Sequence, residues 1–130
     1  MGYYSTITRI DSVWSKLPPD DFRKAWEKAI EKTQETDLEG YLNFYNFDIS
    51  IPMEKDGNLY YQYDLHMDDL TAKHYADRLL AEFIAGVIAQ GEHCIIEFAG
   101  EDGTHWGYYI TIGSVREIEY KKMVDGKPIE

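Results

Sequence analysis

Residues 94–123 read CIIEFAGEDGTHWGYYITIGSVREIEYKKM, and this stretch decides the fold. Cys94 to Ala99 is apolar and β-prone, Glu101-Asp102-Gly103 supplies turn residues, and His105 to Ile112 is again rich in aromatic and β-branched side chains. Gly113-Ser114 then leads tightly into Val115 to Met123. Three strands joined by short turns predict an antiparallel meander. Just upstream, Ala72, Tyr75, Ala76, Leu79, Leu80, Phe83, Val87 and Ile88 recur at helical spacing, with Asp69 or Thr71 placed to cap the start and Gly91 to stop the chain. That stripe predicts an amphipathic helix lying on the sheet.

Working outward, the odd positions Tyr41, Tyr45, Phe47, Ile49 and Ile51 carry most of the apolar mass of their segment. Leu59, Tyr61, Tyr63 and Leu65 do the same beyond Glu54-Lys55-Asp56-Gly57-Asn58. This period of two on both sides of a turn predicts a hairpin. Leu17-Pro18-Pro19-Asp20-Asp21 opens a first helix, because proline suits the first helical position and aspartates meet the free N–H groups and the positive dipole end. Its apolar face is Phe22, Trp26, Ala29, Ile30 and Thr33. Tyr3 to Val13 reads as a first strand. The order β-α-β-β-α-β-β-β predicts an α+β fold, a largely antiparallel sheet with two helices packed on one face. Residues 1–124 form one domain, with 125–130 as a C-terminal tail.

The chain of 130 residues carries 24 acidic against 13 basic side chains, a formal charge of -11, together with 11 Tyr, 5 Phe and 3 Trp. Disordered acidic chains are poor in aromatics, so the charge belongs to a folded body. Such a surface disfavours nucleic acid as a direct ligand, because phosphate binding relies on Lys and Arg clusters, and it disfavours anionic membranes for the same reason. A protein partner, including a basic one, is compatible with it. A lone cysteine, Cys94, in an apolar run reads as a buried, inert thiol in a reducing compartment, hence a cytoplasmic protein.

With the helices on one face, alternation assigns Leu42, Phe44 and Asp48, then Tyr60, Gln62, Asp64 and His66, then His105, Tyr109 and Thr111 to the open face of the sheet. Phe44, Tyr60, His66, His105 and Tyr109 form the candidate binding patch, since tyrosine offers large rigid area with a polar tip. A second copy of the chain could cover the same face and form a homodimer. His66-Met67-Asp68-Asp69 with His74 contains metal-ligand residue types, but the spacing matches no metal motif, and the aspartates suit helix capping. Glu97 beside His93 or His105 would be an acid–base pair, yet no nucleophile or oxyanion device accompanies it. No catalytic, metal or cofactor motif is present. Glu117 and Glu119 with Lys121 read as a charged edge that discourages sheet-to-sheet pairing.

The opening Met1-Gly2-Tyr3-Tyr4-Ser5-Thr6-Ile7-Thr8, the segment Tyr75-Ala76-Asp77-Arg78-Leu79-Leu80, and the block from Gly100-Glu101-Asp102-Gly103-Thr104-His105-Trp106 to Arg116-Glu117-Ile118 resemble a family of small uncharacterised proteins of actinobacteria and their phages, a domain of unknown function. Members typically read Gly-Glu-Glu-x-Gly-Asp-x-Trp where this chain has Gly100 to Trp106. The resemblance implies a phage or mobile-element setting and carries no activity or site residues. The expectation is a non-enzymatic protein-binding module using its open sheet face. The alternatives are an acidic mimic of nucleic acid that blocks a nucleic-acid-binding defence protein, and a small hydrolase or metal-dependent enzyme using His66, His105 or Glu97.

Overall fold

The structure, a computed structural model, describes residues 2–49, 52–120, 123–124 and 127–128. In chain order its elements are β1 (Ser5–Ile10), β2 (Val13–Ser15), α1 (Pro19–Glu31), a 3-10 turn (Leu42–Phe44), β3 (Asn46–Ile49), β4 (Met53–Lys55), β5 (Asn58–His66) and β6 (Thr71–Ala72). Beyond these come α2 (Asp77–Val87), β7 (Cys94–Gly100), β8 (His105–Thr111), β9 (Ser114–Glu117), β10 (Met123–Val124) and β11 (Lys127–Pro128). The fold is α+β, with two helices and antiparallel strand pairing throughout the described residues. The proposed edge residue Lys121 and most of the tail 125–130 lie outside the described residues.

The meander forms, with β7, β8 and β9 as consecutive neighbours in a five-stranded sheet of order β6-β1-β7-β8-β9, but its last strand stops at Glu117 and does not run on to Met123 as expected. A second sheet has the order β2-β5-β3, with β4 also paired to β5. This corrects the single sheet expected from the sequence. The apolar run from Tyr3 to Val13 breaks at Asp11-Ser12, where Asp11 takes the place of a strand partner. Its N–H donates to the Ile95 carbonyl at 3.1 Å, and its carboxylate accepts from the Ile95 N–H at 3.0 Å. Ser12 turns away and donates to Asp64 of β5, so the chain leaves one sheet and enters the other.

The helices consequently serve different sheets. Phe22 of α1 stacks on Tyr63 of β5 with ring centroids 3.8 Å apart, and meets Phe47 of β3 and Phe83 of α2 edge-on. The central helix α2 buries Leu80, Ala81, Ile84 and Ala85, and its N-terminal residue Asp77 is bonded by side chains of β8. Aromatic burial of this kind dominates core energetics. Three further expectations shift. Thr71 and Ala72 pair with β1 instead of opening the helix, and Asp69 accepts the Thr71 N–H in a local turn, so α2 begins at Asp77. His74, which the predicted stripe from Ala72 would place within the helix, precedes it. It is buried, with Nδ1 2.7 Å from the Tyr45 hydroxyl and Nε2 2.9 Å from the Leu70 carbonyl. A carbonyl can only accept, so Nε2 carries the proton and Nδ1 accepts from Tyr45. The β4–β5 turn contracts to Asp56-Gly57, with φ of 51° and 78°, the two positive angles that a tight hairpin with right-handed twist requires.

Candidate functional site

Strand β8 shows how the site is built. Trp106, Tyr108 and Ile110 point into the core, while His105, Gly107 and Tyr109 point outward, because successive strand side chains alternate. On the inner side the Trp106 Nε1–H and the Tyr108 hydroxyl both donate to one oxygen of Asp77, at 2.8 and 2.7 Å. Burial, then the bond to Asp77, raises Tyr108 above the usual phenol range, so it remains a donor. These polar tips are spent within the molecule.

The outer side is different. Tyr109 is half-buried between the parallel ring of His93, at a centroid distance of 5.4 Å, and the Arg116 guanidinium, 5.1 Å from its ring centre. Arg116 is delivered by β9, directly opposite Tyr109 in the register, and Ile95 of β7 lies opposite on the other side. One step along the strands, Gly107 faces Glu97. A Cβ on Gly107 would come within 2.6 Å of the Tyr120 hydroxyl and 2.8 Å of the Ile96 carbonyl. Glycine here lets Tyr120 fold over the sheet, where its hydroxyl donates to Glu97 at 2.7 Å and its ring lies 6.1 Å from that of His105. Burial and the Glu97 carboxylate both push the Tyr120 hydroxyl upward, so it too stays protonated.

The register of β1 slips between Ile7 and Arg9, which brings Arg9 opposite Glu97, with their charged groups 3.8 Å apart. The outward positions of the five strands therefore carry Arg9 and Arg116 with one carboxylate, Glu97, which Tyr120 and Arg9 both engage, and Asp11, just past β1, brings a second carboxylate to Arg9 at 3.2 Å. With two cations against two carboxylates the face is near neutral in a chain of charge -11, and its aromatic content sets it apart as well.

Of the residues expected to form one patch, His105 and Tyr109 lie on this face; Phe44, Tyr60 and His66 do not, and the single shared face is corrected. Phe44 sits exposed on the 3-10 turn beside Tyr41, because that segment turns instead of extending and buries Leu42 in the core. Tyr60 is on β5 of the other sheet, under the ammonium of Lys16 at 5.6 Å. His66 ends β5, exposed between Asp48 at 4.0 Å and Asp68 at 3.9 Å. Arg9, Arg116 and Tyr120 were not assigned to the face from the sequence. Gly107 beside an outward carboxylate was a legible signal, but register alone places Arg116 on Tyr109.

Glu97 is held by Tyr120 and Arg9, the arrangement found in place of a Glu97–histidine couple. Among the described residues no group of three or more His, Cys, Asp or Glu is placed to hold a metal ion. Cys94 is fully buried in β7, and burial pushes its thiol up to about 12, so it is a poor nucleophile at neutral pH. No helix among the described residues is long and apolar enough to cross a membrane. Compared with protein-family models, curated proteins and solved structures, the chain matches none of them.

Proposed function

We propose that this chain is a non-enzymatic protein-binding module that holds its partner on the outer face of the five-stranded sheet, centred on Tyr109. The observation that carries this reading is the composition of that face: aromatic and arginine side chains gathered on a surface where two cations offset two carboxylates, in a chain of charge -11. Tyr and Arg are the residue types that dominate interface hot spots, and a tyrosine held by its neighbours loses little freedom on binding. Arg9 is paired with Asp11 and Glu97, which leaves Arg116 as the cation the face offers, so it suits a neutral or weakly acidic partner surface.

The phosphate-mimic reading draws less support. On α1 and its C-cap the carboxylates of Asp20, Asp21, Glu27 and Glu31 alternate with Arg23, Lys24, Lys28 and Lys32, and Arg23 lies 3.5 Å from Asp20 and 3.9 Å from Glu27. An array imitating a nucleic-acid backbone would be continuous in charge. The resemblance over residues 100–118 suggests a phage or mobile-element setting, and a lone buried thiol suits the cytoplasm.

The test is capture of partners by the tagged protein from host lysate at low and high salt, with Tyr109→Ala and Arg116→Ala in parallel. A partner retained at high salt by the wild type and lost from both variants supports the face. A partner released by salt or by added DNA, and indifferent to both substitutions, replaces this reading with the mimic.

A further inference from the structure

A cavity lies away from the sheet face, in a cleft between α1 and α2 whose lining also includes Thr36, Leu38 and Leu42. Its volume is about 660 Å³, within the roughly 300–1,000 Å³ range of small-ligand sites. Leu38, Leu42, Leu79, Phe83 and Val87 give it an apolar floor, and water in such a trough has few partners.

Two features of the cleft are not accounted for by packing within the chain. Gly86 is the next-to-last residue of α2, and a Cβ at that position would meet nothing within 4 Å. Its missing side chain leaves the trough open. The rim is also charged against the trend of the molecule. Lys28 in the last turn of α1 and Lys32 at its C-cap stand one helical turn apart, and among the described residues neither has an ion-pair partner. The single carboxylate of the lining, Glu82, is engaged by Arg78 at 3.4 Å.

We propose that the α1–α2 cleft is a binding site for a single-chain carboxylate amphiphile of the long-chain fatty-acid class. Its apolar tail lies along Leu79, Phe83 and Gly86, and its carboxylate meets Lys28 and Lys32. An apolar trough with unpaired cations on one wall selects a ligand that is greasy along its length and anionic at one end. The site shares no residue with the Tyr109 face, so the two readings stand or fall separately.

The experiment is calorimetric titration of the full chain with dodecanoate below its micelle concentration, and with dodecyltrimethylammonium, which has the same tail and the opposite charge. Saturable one-to-one binding of dodecanoate with much weaker uptake of the cation is expected. Lys28→Gln with Lys32→Gln should weaken dodecanoate about tenfold, as loss of charge-assisted contacts does. Gly86→Leu should fill the trough and abolish binding while melting stays as high or rises. The lysine pair is exposed, so that variant folds and decides the matter should Gly86→Leu fail to fold. Absence of saturable dodecanoate binding, equal uptake of the cation, wild-type affinity in Gly86→Leu, or a dimer that closes the cleft and excludes dodecanoate would each overturn the assignment.

Discussion

The two sides of β8 carry the same kinds of side chain to opposite ends. Inward, Trp106 and Tyr108 converge on Asp77 and fasten the sheet to the first turn of α2. Outward, Tyr109 and His105 lie against His93, Arg116 and Tyr120, with their contacts still open to solvent. Aromatic residues with polar tips serve stability where a buried acceptor consumes the tip and stay available for contact where it is left free. Residue type does not distinguish the roles; the side of the pleat does.

The sharpest way to break this contrast is Asp77→Ala. It removes the shared acceptor of two partly buried donors and an acidic residue from the helix N-terminus, and should cost ~2–4 kcal/mol in urea denaturation. A loss below ~1 kcal/mol would mean that the inner side does not fasten the helix. Tyr108→Phe deletes one of the two bonds and should cost ~1–2 kcal/mol by the same measurement.

Alkaline pH probes the inner side collectively. Burial raises Cys94 and Tyr63 to about 12 and lifts Tyr45 and Tyr108 further, from ordinary values of 9.0 and 10.0. The folded chain keeps protons that the unfolded chain would release. This contribution is therefore intact below about pH 9 and is lost as pH climbs toward 12. Urea midpoints should hold steady from neutral pH to about pH 9 and fall above it; a midpoint unchanged at about pH 11 would contradict the burial of these groups.

The smallest expected effect sharpens the comparison from the other side. Tyr109→Phe should change stability by no more than ~0.5 kcal/mol, since no buried bond to its hydroxyl is lost. If it destabilised as much as Tyr108→Phe, the outward face would be structural after all.

Much of the architecture was legible because local chemistry and final structure agree. The meander from Cys94 to Glu117 obeys its alternation and its glycine turns, and the apolar stripes of Phe22–Ile30 and Leu79–Val87 became the buried sides of α1 and α2. The departures are residues whose fate depends on distant partners. Ala72 shares the helical spacing of Tyr75, Ala76 and Leu79, but the free edge of β1 recruits Thr71 and Ala72 as a strand. Leu42 and Phe44 alternate as a strand would, but burying Leu42 and Tyr45 beside His74 calls for a turn. The site was half legible: Tyr109 and His105 could be chosen from alternation, whereas Arg9, His93, Arg116 and Tyr120 join them only through strand order and register.

The sequence by itself determined the α+β class, the two amphipathic helices, the meander, the inert position of Cys94 and the negative charge, because each depends on neighbours within one or two turns or on composition alone. Tertiary structure decided that strands β1 to β9 divide into two sheets, with the chain crossing between them at Asp11-Ser12, that His74 is a core residue, and that Phe44, Tyr60 and His66 part company with Tyr109. It also decided where the α1–α2 cleft opens. These outcomes turn on contacts between residues far apart in the chain, such as Asp11 with Ile95, Tyr45 with His74 and Tyr109 with Arg116, and no local pattern encodes which distant groups will meet.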